Sequence, residues 1–253
     1  MPRRDGSLHL FTAFGIDVFV HWTWFVVAYL FYSMRGSVFG EGWWFVLTYG
    51  ALFGIVLLHE FGHALACRSV GGRAKQIVLW PLGGVAYVEP PQRPGAVLWS
   101  IVAGPLVNVA LVPITVGALL VASAMLPQNS SLLQVIQVVT AINLTLLVFN
   151  MLPIYPLDGG QTLWSILWFF MGRAKSLKVT ATIGLCIAVF AAVFLIASGA
   201  LLNGGVWLFI LAVFVAWQAW RGRQAAELMI KAEDGSWDRV RDLARRLSEQ
   251  TRS

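Results

Sequence analysis

His59-Glu60-Phe61-Gly62-His63 closes an apolar run that begins at Trp43 and ends at Ala66, and these five residues govern how the rest of the chain is read. Histidines four apart lie on one face of a helix, so both imidazoles can reach one ion, with the intervening carboxylate beside a water at that ion. The run is long enough to cross a bilayer, whose hydrocarbon core takes about 20 helical residues. Glu60 is the only carboxylate inside any of the long apolar runs of the chain. An ionisable group at that depth is costly unless it is paired or working, so it faces protein or a wet cavity rather than lipid. A polar cluster that merely ties helices together is the bland alternative, and three ionisable groups exceed what packing requires.

Outward from this run the composition stays lipid-like. The 253 residues are 58% apolar and 12% charged, against roughly a quarter charged in soluble domains. Apolar runs at 18–34, 43–66, 96–126, 132–152, 177–202 and 204–220 predict six spans. The last two, separated by Asn203-Gly204-Gly205, read as a helical hairpin. The net charge of +6 comes from basic residues in short connections and in the last stretch. With the N-terminus inside, every one of the 18 Lys and Arg residues except Arg35 faces the cytoplasm, which sets an N-in, C-in orientation. Topology therefore accounts for the charge, and nucleic acid is not expected as a partner. No small-residue cleavage site follows the first run, which is read as an uncleaved anchor. Cys67 and Cys186 show no pairing pattern.

The expected fold is an all-α polytopic membrane protein of about six transmembrane helices, with a re-entrant or β-hairpin loop between the second and third. That loop is read from Gln76 to Trp80 and Val85 to Glu89 flanking Pro81-Leu82-Gly83-Gly84: too short to cross and too apolar for an ordinary loop. Residues 1–222 are expected to form the membrane core and 223–253 a short cytoplasmic helical tail, in which Trp237, Val240, Leu243, Ala244 and Leu247 recur at helical spacing. Gly50 and Gly54, and likewise Gly104, are expected to let helices pack closely.

A catalytic zinc takes three protein ligands and keeps one open position. The best third candidate is Asp158, in Asn150-Met151-Leu152-Pro153-Ile154-Tyr155-Pro156-Leu157-Asp158-Gly159-Gly160 at the end of the fourth run. The second and fourth runs cross in the same direction and carry their polar groups towards the inner end. Pro153 and Pro156 interrupt regular helix there, and irregular chain at that depth is tolerated only where it lines protein or a wet pocket. The competing reading makes Asp158 a helix cap.

HEFGH together with NMLPIYPLDGG resembles the site-2 protease family, whose members carry these two motifs on separate spans. GIDVFVHWTW, PLGGVA and AGPLVN extend the resemblance from about Gly15 to Gln161. It implies the core fold of that family, one zinc ion per chain, and cleavage of membrane-anchored regulatory proteins. Neither an inserted PDZ-like segment nor a cystathionine-synthase-type domain pair is evident, so the compact form of the family is the one resembled.

Together these readings predict an intramembrane zinc metalloprotease. His59, His63 and Asp158 hold the metal and Glu60 is the catalytic base, while Asn150, Asn108, Gly83 and Gly84 contact substrate. The rival is a metal-binding membrane transport or scaffold protein without proteolytic activity. His21 beside Trp22 is read as a packing or hydrogen-bonding residue. The expected surroundings are a prokaryotic plasma membrane with the active site towards the cytoplasm, a membrane-anchored protein substrate, and a homo-oligomer or regulatory membrane partner left open.

Overall fold

The computed structural model describes residues 6–35, 42–80, 83–203 and 205–235. The chain packs as two compact units, residues 1–151 and 152–253.

The first unit opens with a hairpin. Strands β1 (Ser7–Ala13) and β2 (Ile16–His21) pair antiparallel across Phe14-Gly15, both at positive φ (53° and 66°), the conformation that matches a two-residue turn to the twist of its strands. Helices α1 (Thr23–Arg35) and α2 (Gly42–Ser69) carry the chain to β3 (Arg73–Trp80), which lies parallel to β2, and β4 (Gly83–Glu89) returns antiparallel. The sheet order is β1-β2-β3-β4, with β4 at an edge. Val18 pairs with Ile77 and Val20 with Leu79. These four residues join Ile16, and Val56 and Ala64 of α2, in one buried core. Helices α3 (Pro94–Met125) and α4 (Ser131–Asn150) complete the unit.

Arg68, in the last turn of α2, fastens the sheet to that helix. Its guanidinium donates to the carbonyl oxygens of Phe14, of Gly15 (2.8 Å) and of Ala74 (2.9 Å from Nε). Arg68→Ala is expected to lower stability by about 1–3 kcal/mol, since hydrogen bonds to charged groups exceed neutral ones and the site is partly exposed. Arg68→Lys should not restore the loss, because an ammonium lacks the planar fork. Thermal unfolding of the three proteins in one detergent checks both expectations.

In the second unit an irregular stretch leads into α5 (Asp158–Met171), and Gly172, at φ 81°, turns the chain into α6 (Arg173–Ala197). A 3-10 turn (Ala200–Asn203) precedes α7 (Val206–Glu233). Tyr155 sits against glycines of both long helices: a Cβ on Gly184 would meet its backbone nitrogen at 2.9 Å, and one on Gly222 its ring at 2.5 Å. Lys178 pairs with Glu227 at 3.4 Å, and that hydrogen bond holds the Glu227 carboxyl below its usual range.

Four helices among the described residues are long and apolar enough to cross a membrane: α2, α3, α4 and α6. The chain is a multi-pass integral membrane protein, with four such helices where six were expected. The first apolar run divides, because residues 18–21 belong to β2 and leave α1 only 13 residues, about 20 Å of helix against a core of about 30 Å. A short apolar run does not distinguish a strand buried on both faces from a helix. The sixth run enters α7, which soon acquires Gln218, Arg221 and Arg223. A fold expected as all-α also carries a four-stranded sheet. The hairpin read at 76–89 is present as β3 and β4, while Pro81 and Leu82 lie outside the described residues. Helix α7 continues to Glu233, and Trp237 to Leu247 lie outside the described residues. Gly50 and Gly54 face open space rather than a neighbouring helix. The close approach occurs at Gly62, where a Cβ would lie 2.6 Å from the Ala103 carbonyl oxygen of α3.

Candidate metal centre

His59, Glu60 and His63 occupy consecutive turns near the C-terminal end of α2, and all three are buried. The helical spacing puts the two rings side by side, with Nε2 atoms 3.1 Å apart. Each Nδ1 is engaged from behind: that of His63 by the Ser100 carbonyl oxygen (2.9 Å), that of His59 by Asn108 Oδ1 (2.6 Å). Ser100, Gly104 and Asn108 recur every fourth residue along α3, forming a buried stripe against α2.

These contacts determine the chemistry of the pair. A carbonyl oxygen only accepts, so Nδ1 of His63 carries the proton and its Nε2 a lone pair. The same holds for His59 with Asn108 Oδ1 as acceptor. Two lone-pair nitrogens at 3.1 Å repel unless a cation lies between them, and a second-row oxygen acceptor behind each ring is the arrangement that orients a metal-binding imidazole. The donor set fits a divalent ion.

Glu60 points towards the sheet. Its Oε2 accepts the backbone N–H of Ala86 at 2.8 Å, so the outer edge of β4 lies along the carboxylate. Gly84 makes that approach possible, for a Cβ there would stand 2.3 Å from Glu60 Cγ. Gly83 begins the strand at φ 140° and pairs with Trp80.

In the second unit Asp158 is half-buried in the first turn of α5, and Leu157 stands at the N-cap with no side-chain cap bond. Gln161 Nε2 donates to the Pro156 carbonyl oxygen at 2.9 Å, and a Cβ on Gly160 would meet the Tyr155 backbone nitrogen at 2.3 Å, so the turn before α5 is tightly wound. His59 and His63 in the first unit offer two imidazoles and Asp158 in the second a carboxylate, the residue types that hold a divalent ion.

The profile of peptidase family M50 matches residues 47–127 and 113–195, a stretch from the start of α2 to the end of α6 that is more than half of the chain. The chain belongs to peptidase family M50. It is similar to a zinc metalloprotease of Methanocaldococcus jannaschii, at 32% identity over 90% of this chain and 65% of that protein. It is also similar to Rip3 of Mycobacterium tuberculosis, at 32% over 87% of this chain and 58% of that one. Thus the chain spans about three-fifths of the length of these relatives. Among solved structures, the site-2 protease from Methanocaldococcus jannaschii superposes with a TM-score of 0.59 at 29% identity, over 86% of this chain and 95% of that chain. The relatives named here come from an archaeon and a bacterium.

The other residues singled out from this M50 sequence fall into different settings. Asn150 is the half-buried last residue of α4. Asn108 is fully buried, with its amide bonded to His59 and to Asn143 of α4. His21 packs, as expected: its ring stacks on Trp80 at 4.0 Å and its Nδ1 lies 2.7 Å from Thr23 Oγ1. Sequence reasoning missed Asn143 and the Ala86 N–H. Asn143 left a signal, because an amide in an apolar run needs a partner; a backbone donor on a strand left none.

Proposed function

We propose that this M50 chain is an intramembrane zinc metalloprotease that hydrolyses peptide bonds within or next to transmembrane segments of membrane-anchored, regulatory proteins. The observation that carries the proposal is the paired imidazoles, both presenting Nε2, with a buried carboxylate one residue from the first. One zinc per chain would be held by His59, His63 and Asp158. When bound, zinc supplies polarisation of the scissile carbonyl and lowers the pKa of a water towards about 7. Glu60 accepts the proton of the attacking water and delivers it to the leaving amine, so no covalent intermediate is needed. The Ala86 N–H orients that carboxylate.

A transmembrane helix keeps its peptide bonds inside its own hydrogen bonds, so the substrate must extend before attack. The edge of β4 at Gly83 and Gly84 suits strand addition beside Glu60, and Asn150 would bond the extended backbone. The distribution of basic residues supports an N-in, C-in topology with the site towards the cytoplasm of a prokaryotic plasma membrane.

Membranes from cells expressing the chain, incubated with and without a zinc chelator, test the reading. New fragments ending within or beside a transmembrane segment should appear only with the chain present, vanish with chelator and return with added zinc. Fragment profiles indifferent to the chain would favour metal transport or scaffolding instead.

A further inference from the structure

The orientation of the Asn108 amide is fixed by a partner on a third helix. Asn143, on α4 and fully buried, donates from Nδ2 to the Asn108 backbone carbonyl oxygen at 3.2 Å. A carbonyl oxygen cannot donate, so this bond sets which way the Asn143 amide faces. Its Oδ1 then accepts from Asn108 Nδ2 at 2.9 Å. With its NH2 group so held, Asn108 has only Oδ1 to offer His59, which it does at 2.6 Å. His63 is oriented by a backbone carbonyl directly, and His59 by another backbone carbonyl relayed through two amides.

We propose that Asn143 is a positioning residue of the metal site, keeping His59 in the tautomer with hydrogen on Nδ1 and a lone pair on Nε2. This rests on the metal-binding reading above. A flipped Asn108 amide would present NH2 to Nδ1 and favour the opposite tautomer, whose Nε2 carries hydrogen and binds no metal. The proposal assigns Asn108 to His59 rather than to substrate. It also gives α4 a part in holding His59.

The test measures zinc affinity of the full chain in detergent, by competition with a chelating dye. Asn143→Ala is expected to weaken zinc binding about 10-fold, the lower end of effects seen when the partner behind a metal-binding histidine is removed. Asn108→Asp offers an acceptor whichever way it turns, so adding Asn143→Ala to Asn108→Asp should cost nothing further. Equal weakening in both backgrounds would mean that Asn143 only fills space, and native affinity in Asn143→Ala would equally overturn the proposal. Asn143→Asp preserves the side-chain volume and still accepts from Asn108 Nδ2, although it gives up the bond donated to the Asn108 carbonyl; it should lose less than about 10-fold in zinc affinity, and a larger loss overturns the proposal even if Asn143→Ala fails to fold. If the native chain itself binds no zinc, it is the metal-binding reading that fails.

Discussion

The purified protein carrying Glu60→Gln is expected to hydrolyse peptide about 10²–10⁴-fold more slowly than the native chain, the usual contribution of a positioned general base. Its metal content should be unchanged, because neither imidazole depends on Glu60. Glutamine preserves the shape of the side chain, and its amide oxygen can still accept the Ala86 N–H that now meets Oε2. What it loses is the capacity to take up a proton. Single-turnover cleavage of a transmembrane peptide, with zinc measured on the same samples, separates the outcomes. Slow hydrolysis with full zinc places the proton transfer on Glu60. A native rate would place it elsewhere, and a protein that merely carries metal would bind zinc in both forms and cleave the peptide in neither.

Much of the site was readable in the sequence because its parts are local. The spacing of His59 and His63 carries their shared helical face, and the burial of Glu60 follows from the cost of a carboxylate within an apolar run. The hairpin of β3 and β4 was readable too, since Gly83-Gly84 interrupts two short runs rich in strand-forming residues. The first span misread strand as helix: Val18, Phe19 and Val20 are equally apolar in either structure, and only pairing with the distant Ile77 to Leu79 settles the matter. The same limit hid what stands behind the histidines. The Ser100 carbonyl and the Ala86 N–H are backbone groups, invisible to any reading by residue type. Gly104 was expected to serve helix packing, yet the atoms it makes room for belong to the His63 ring.

That last contact carries the second large effect. A Cβ on Gly104 would lie 2.2 Å from His63 Nε2 and 2.4 Å from Cε1, so in Gly104→Ala the ring must leave its place. It has no easy retreat: its Nδ1 is held by the Ser100 carbonyl one turn earlier on the same helix, and α3 is itself pressed against α2 where Ala103 meets Gly62. Zinc affinity is expected to fall by at least about 100-fold, beyond the range for disturbing a partner behind a ligand, because the ligand itself is displaced. Gly117 on the same helix supplies the comparison, since a Cβ there meets nothing within 4 Å. Gly117→Ala should bind zinc as the native chain does. Both substitutions raise helix propensity by up to about 1 kcal/mol, so poor helix formation cannot explain a loss confined to Gly104→Ala. Native affinity in both variants would mean that His63 Nε2 does not hold the metal, and the ligand set would then have to be sought away from the α2–α3 contact.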